Sequence, residues 1–278
     1  TYRMNHLLAA IHTFQEGDYS HRIQVKGKDQ LAKMADEFNH LTERIQENEE
    51  LRRRFVADAS HELKTPLTSI RLLSDSILQD PNIDPELTRE FVIDIGREAE
   101  RLARITEGLL SLAQLDRGVQ EQRDMIDAAP QVRYAIHLLL PLAESKGIVI
   151  RSELESGCLV HISGDNMSRI VNNLIENAIK YNVPHGSVWV KLGIAGEDVV
   201  FSVEDTGIGI PATDRDKVFQ RFYRVDKARS REAGGTGLGL SIVHDTVIHA
   251  GGSIRLEEGS DGGSRFLVTL PLAQEGRS

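Results

Sequence analysis

Four stretches of this 278-residue chain space reactive side chains in ways that chemistry can use. The first is Phe55-Val56-Ala57-Asp58-Ala59-Ser60-His61-Glu62-Leu63-Lys64-Thr65-Pro66. At about 100° of turn per helical residue, His61 points away from Leu63, Leu67, Ile70 and Ile77, and so towards solvent. A neighbouring carboxylate, Glu62, can hold one imidazole nitrogen and leave the other nucleophilic. Thr65 falls within about 40° of His61, on the same face. Pro66 sits inside the helical pattern, where a proline removes a backbone hydrogen bond at about 3 kcal/mol. A local rule broken one turn after an exposed histidine suggests function. Alone, though, the histidine reads as an ordinary surface residue, one of ten in the chain.

The second stretch is Arg169-Ile170-Val171-Asn172-Asn173-Leu174-Ile175-Glu176-Asn177-Ala178-Ile179-Lys180-Tyr181. Val171, Leu174, Ile175 and Ala178 make an apolar face, and Asn173, Asn177, Lys180 and Tyr181 fall within about 100° on the other side. Two amides and an ammonium in a row suit a phosphate chain with its hydrated Mg²⁺, although a plain amphipathic helix has the same pattern. The third is Asp205-Thr206-Gly207-Ile208-Gly209-Ile210-Pro211, directly after an expected strand. Its glycines allow close backbone approach, and a carboxylate at a strand end accepts a hydrogen bond from an exocyclic amine. The fourth, Gly234-Gly235-Thr236-Gly237-Leu238-Gly239-Leu240, leads into a helix and presents backbone N–H groups to an anion. No Lys-Ser/Thr pair follows these glycines, so neither loop is a Walker loop. Between them, Phe219-Gln220-Arg221-Phe222-Tyr223-Arg224 opens a charged segment long enough to form a mobile lid, with arginines to reach a triphosphate.

These residues need a frame. Met4, Leu7, Ile11 and Phe14, and then Leu31, Met34, Phe38, Leu41 and Ile45, recur at coiled-coil spacing. The pattern predicts two short helices within residues 1–47, each too short to be stable alone. A long helix continues over 48–79, and Asp80-Pro81-Asn82-Ile83-Asp84-Pro85 forms a turn. A second long helix follows, with Leu87, Phe91, Ile95, Leu102, Ile105, Leu109 and Leu112 as its stripe. Leu63, Leu67, Ile70 and Ile77 form the facing stripe. One such hairpin buries its stripes poorly and two make a four-helix bundle, so residues 1–117 are expected to form a homodimer. Residues 118–124 read as a linker. From 125 the pattern turns mixed, with helices expected at 128–146, 165–182 and 238–250. Strands are expected at 148–154, 186–194, 198–204, 253–257 and 265–270. The fold class is therefore multidomain: an all-α coiled-coil and four-helix-bundle half, then an α+β sandwich over 125–272. A disordered tail is expected at 273–278.

Composition excludes several classes. The net charge of −9 argues against nucleic acid as a partner. A single cysteine excludes a disulfide framework and any cysteine-cluster zinc site. No apolar run reaches the ~18 residues of a membrane span. A chain beginning at Thr1 reads as a fragment or a processed product.

Taken in order, the blocks resemble the sensor histidine kinases of bacterial two-component systems, across about residues 1–272. The His61 run is similar to the family's H box, Asn173 to Tyr181 to its N box, and Asp205-Thr206-Gly207-Ile208-Gly209 to its first glycine box. Phe219 to Phe222 resembles the F box, and Gly235-Thr236-Gly237-Leu238-Gly239 the second glycine box. Residues 1–47 resemble the HAMP signal-relay module through Glu16-Gly17-Asp18 and Asp29, and depart from it at Gln30 and Ala32. The resemblance implies a dimerisation and phosphotransfer hairpin at 48–117 and a catalytic ATP-binding domain at 125–272. It implies that His61 accepts the γ-phosphoryl group of ATP, with Glu62 as proton acceptor or orienter. Thr65 would position water for dephosphorylating a partner. Asn177 would bind Mg²⁺, with Asn173 near the phosphates. Lys180 and an arginine from 221–231 (Arg221, Arg224, Arg229 or Arg231) would neutralise phosphate charge. Tyr181 would pack beside the nucleotide and Asp205 would read the adenine amine, with Gly207 and Gly209 in its loop. Gly235, Thr236, Gly237, Leu238 and Gly239 would cradle phosphate. The implied partner is a response-regulator receiver domain. The implied location is the cytoplasmic side of a bacterial plasma membrane, below an upstream transmembrane segment.

Three rival readings remain at this point: an ATP hydrolase of the same superfamily, a serine kinase on the same fold, and a non-catalytic relay dimer. A hydrolase would carry a Glu base where Asn173 stands, and an amide takes no proton from water. A serine kinase has no need of an exposed His61. Intact boxes weigh against a relay.

Overall fold

The computed structural model describes residues 4, 11–14, 18–19, 22–23, 29–80, 82–116, 124–226 and 235–273. Most of the first short helix, the Glu16-Gly17 stop, nearly all of the 118–124 linker, the lid residues Arg229 and Arg231, and the tail beyond Ala273 lie outside them. The chain divides into two units, Thr1–Glu62 and Leu63–Ser278.

In the first unit the helix α1, Gln30–Gln79, begins with Asp29 as its cap, whose Oδ1 accepts the Ala32 N–H at 3.1 Å. Ile23 lies along it. Asn39 pairs with the Ile23 backbone like a strand neighbour: its Oδ1 accepts the Ile23 N–H at 2.8 Å and its Nδ2 donates to the Ile23 carbonyl at 2.9 Å. Ile23 and Ala35 are buried, and Ile11 and Phe38 pack against them. Phe14 meets Tyr19 and Phe38 edge-on, with ring centroids 5.0 and 5.5 Å apart. The second seam runs on without a break into the helix expected over 48–79, as one helix of 50 residues, so one nucleation serves its whole length.

In the second unit α1 ends at a turn built by two aspartates. Asp80 accepts the Asn82 N–H, and Asp84 caps α2, Pro85–Asp116, by accepting the Glu86 N–H at 3.2 Å. Pro85 at the first helical position needs no N–H partner. On one chain the expected stripe of α1 is partly covered, with Leu63 half-buried. Pro66 is buried and Ile70, Leu73 and Ile77 are half-buried, while Leu67 is 60% exposed. Leu67 lies about 100° from Pro66, which puts it off the face that one hairpin covers.

The mixed part is a two-layer α/β arrangement. Five strands order as β2-β4-β5-β7-β6: β2 Val149–Leu154, β4 Ser187–Ala195, β5 Asp198–Asp205, β6 Ser253–Glu258 and β7 Ser264–Pro271. Only β2 and β4 run parallel; the other neighbours are antiparallel. Val188, Val190 and Leu192, Val199, Phe201 and Val203, and Phe266, Val268 and Leu270 alternate inwards. Three helices cover that face: α3 Ala128–Ser145, α4 Gly164–Lys180 and α5 Gly239–His249. On α4, Met167, Ile170, Val171, Leu174, Ile175, Ala178 and Ile179 form the buried stripe. A second, two-stranded sheet was not expected: β1 Met125–Asp127 pairs with β3 Leu159–His161. Three-residue strands have too little pattern to be read from sequence.

Candidate functional site

The period of β5 decides where Asp205 goes. Val199, Phe201 and Val203 point into the core, so Asp205 at the strand end does too, and it is only 6% exposed. Its Oδ1 accepts the Gly207 N–H at 2.7 Å and the Ser264 N–H at 3.3 Å. Burial nevertheless dominates and pushes the carboxyl up to about 6, with Glu204 adding slightly and the two backbone bonds opposing. A buried carboxylate at the floor of a cavity, held by two N–H groups through one oxygen, keeps the other for a donor.

The loop after Asp205 is tied to the end of α4. Ile208 N–H donates to the Tyr181 carbonyl at 3.2 Å. The Thr206 hydroxyl donates to Asn182 Oδ1 at 3.0 Å and accepts the Ser187 N–H at 2.9 Å. Gly207 is buried behind this loop, where a Cβ would meet the Tyr181 carbonyl. Its role is close packing, not lining. Gly209 has φ of +68°, and a Cβ there would run into the Gly262 carbonyl.

Along α4 the polar face turns to the same space. Asn173 Nδ2 donates to the Arg169 carbonyl at 2.8 Å, Lys180 pairs with Glu176 at 2.8 Å, and Lys146 from beyond α3 caps the helix by donating to the Lys180 carbonyl at 3.0 Å. Asn173 abuts the start of α5, since a Cβ on Gly239 would come 2.5 Å from its Oδ1. Thr236 accepts the Leu238 N–H at 3.3 Å just before α5 begins.

The two ends of the lid segment meet. Phe222 N–H donates to the Gly237 carbonyl at 2.8 Å, and both residues are left-handed, at φ +63° and +73°. A Cβ on Gly237 would lie 2.9 Å from the Phe222 backbone. Gly237→Ala is therefore expected to destabilise the protein by about 1–3 kcal/mol, through strain at positive φ and the clash together. Urea unfolding monitored by circular dichroism reads this, and an unchanged midpoint would contradict it.

These elements enclose a cavity of about 620 Å³, ample for a nucleotide. Of the residues singled out from sequence, Asn173, Asn177, Lys180, Tyr181, Asp205, Gly209, Arg224, Gly235, Thr236, Gly237, Leu238 and Gly239 line it. Gly207 and Arg221 are not in its lining. The Arg221 guanidinium is a fork on Asp116 at 2.7 and 3.0 Å, with Asp245 at 3.1 Å. On α1, His61 is exposed, as its wheel position requires, and Thr65 lies one turn further along the same face. Sequence reasoning missed Arg169, which stands one turn before Asn173, and Ser264 and Phe266 of β7, which also line the cavity. The spacing to Asn173 was a readable sign of Arg169. The β7 residues arrive through strand pairing between distant segments, which leaves no local sign. Among the described residues, no group of three or more His, Cys, Asp or Glu could hold a metal ion.

The cavity lining thus joins a buried carboxyl to amides, an ammonium and a glycine-rich helix start. Three family models match successive parts of the chain. They are the HAMP domain over residues 1–47, the His Kinase A (phospho-acceptor) domain over 51–118, and the histidine kinase-, DNA gyrase B- and HSP90-like ATPase over 163–274. Sensor histidine kinase MtrB of Mycolicibacterium paratuberculosis is 36% identical over 274 residues, covering 94% of this chain and 48% of MtrB. Signal transduction histidine-protein kinase BaeS of Escherichia coli is 30% identical over 270 residues, covering 97% of this chain and 57% of BaeS. The chain thus spans about half the length of these relatives. Among solved structures, histidine kinase ThkA in complex with response regulator protein TrrA shares the fold at a TM-score of 0.62. That match is 20% identical and covers 84% of this chain and 67% of that one.

Proposed function

The chain belongs to the sensor histidine kinases, and from that premise we propose that it moves the γ-phosphoryl group of ATP to His61 and then to an aspartate of a response-regulator receiver domain. The observation that carries the reading is the composition of the cavity. It joins buried Asp205 to Asn173, Asn177, Lys180 and the Gly235–Gly239 turn, in a chain whose α1 presents an exposed His61.

In this reading an imidazole nitrogen attacks the γ-phosphorus. An N–P bond forms, the bond to the bridging oxygen of ADP breaks, and the ring proton passes to Glu62. Such a transfer needs alignment and charge neutralisation more than covalent help. Asp205 accepts the adenine amine and Tyr181 packs beside the base. Lys180, Arg224 and the backbone of Gly237, Leu238 and Gly239 take the phosphates. Mg²⁺ fits as an ion shared with the nucleotide: Asn177 offers an amide oxygen, and phosphates and water supply the rest. When bound, it neutralises phosphate charge. Thr65, on the face of His61, would position the water that dephosphorylates the receiver domain. Asn173 in place of an acidic base favours transfer over hydrolysis.

Residues 1–117 form the homodimer in this reading. Support comes from Leu67, Leu72 and Leu78, which are 60%, 62% and 81% exposed on one chain and give a second hairpin apolar surface to cover. Among the described residues no helix is long and apolar enough to cross a membrane. We place this portion on the cytoplasmic side of a bacterial plasma membrane, its HAMP module coupled to a transmembrane segment. Incubation with Mg²⁺ and γ-labelled ATP tests the function. An acid-labile, base-stable label on the chain supports it, and nucleotide binding with no label points to a relay.

A further inference from the structure

The helix α2 carries two apolar faces. Phe91, Ile95, Leu102 and Leu109 fall within about 40° of each other and are half-buried. Ile105, Gly108 and Leu112 are buried and lie on a face turned by about 90° from the first. That second face meets the nucleotide-binding part. A Cβ on Gly108 would come 2.8 Å from Leu238 Cδ1 and 3.6 Å from Ile242 Cδ1, both at the start of α5. Two turns further on, Asp116 takes the Arg221 fork, and the same guanidinium holds Asp245 of α5. Arg221 thus fastens the last turn of α2 to α5.

The consequence lies in the cavity. Arg104, Glu107, Gly108 and Ser111 of α2 line the same space as Asn173, Asp205 and Gly239. Arg104 stands one turn before the Gly108 contact, about 6 Å along the axis, beside the glycine-rich end where phosphates would sit. Its own carboxylate neighbour, Glu100, is 3.9 Å away on an exposed face and holds it weakly. We propose that the last turns of α2 are part of the nucleotide site. Docking on α5, fastened by Asp116 and Arg221, brings Arg104 to the triphosphate, so bound nucleotide and docked helix strengthen each other. Linkage makes this reciprocal: whatever undocks α2 weakens nucleotide binding, and nucleotide protects the docked helix from opening.

This rests on reading the cavity as an ATP site, and one experiment separates the two. Calorimetry on the full chain measures the affinity for a non-hydrolysable ATP analogue with Mg²⁺ and for adenosine. Hydrogen exchange follows residues 104–112 with and without the analogue. The variants are Arg104→Ala, Gly108→Ala, Asp116→Asn and Asp116→Glu. Alanine at 108 favours helix, so lost docking there is not lost helicity. Gly108→Ala and Asp116→Asn are each expected to weaken the analogue about 5–10-fold, within the usual range of site coupling, and Asp116→Glu to retain most of it. Arg104→Ala should weaken the analogue but leave adenosine unchanged, and the analogue should slow exchange at 104–112. Equal affinities across the variants with unchanged exchange overturn the proposal alone. Failure of the unmodified chain to bind the analogue overturns the ATP reading as well.

Discussion

His61→Gln is expected to abolish phosphoryl incorporation from Mg²⁺·ATP while nucleotide binding and folding persist. The loss should be at least about a thousandfold, as when an enzyme nucleophile is removed. His61 is exposed on α1, so little burial is lost, and glutamine is the better helix former. What disappears is the unprotonated ring nitrogen. The measurement is label retained on the chain after base and after acid, in parallel with analogue binding by calorimetry. Equal, undiminished label in the variant would move the acceptor elsewhere. Free phosphate released at equal rates by both proteins would instead make the chain an ATPase, and the argument from Asn173 would fail with it.

Asp205→Asn is expected to raise the stability of the nucleotide-free protein and to weaken nucleotide binding about a hundredfold, the worth of a charge-assisted hydrogen bond of ~3 kcal/mol. Burial pushes Asp205 up to about 6 from 3.8. The folded state therefore holds a proton more tightly than the unfolded chain, and stability falls as pH rises through roughly 4 to 6. Above that window the buried charge costs roughly 3 kcal/mol. Asparagine keeps an oxygen for the Gly207 and Ser264 N–H groups and removes the charge. It also sets an N–H₂ where adenine offers a donor. Thermal unfolding should show the Asp205→Asn variant more stable than the unmodified chain at about pH 7.5, with the gap closing near pH 4. Nucleotide affinity of the unmodified chain should fall as pH drops through about 6, and stay flat in the variant over that range. A variant less stable at neutral pH, or one that binds ATP normally, would refute the assignment of Asp205.

Both predictions concern residues that were visible in the sequence, for different reasons. His61 was legible because a helical period of 3.6 assigns each residue a direction, and the exposed face needed no knowledge of the rest of the fold. Asp205 was legible because period-two alternation carries Val199, Phe201, Val203 and Asp205 to one side of β5. Caps and turns were equally local, as with Asp29, and with Asp84 followed by Pro85. The main strands and helices of the mixed part followed from the same periods, to within a residue or two at their ends.

What depended on long-range packing was not legible. Phe266 reaches the cavity because β7 pairs with β5, and Val203 lies opposite Phe266, some sixty positions away. Leu67 of the expected stripe is exposed on one chain, since a helix wheel ranks faces by apolarity, whereas burial depends on which neighbour arrives. Which lid arginine serves the phosphates was not legible either: the Arg221 side chain spans Asp116 and Asp245, the first of these more than a hundred residues away. Periodicity and capping act over one or two turns of chain, so residue order alone sets the elements and the face each reactive group takes. Which of those faces meet, and hence that α2 walls the cavity, is settled by close packing of distant segments, where each contact exists only once all the others are made.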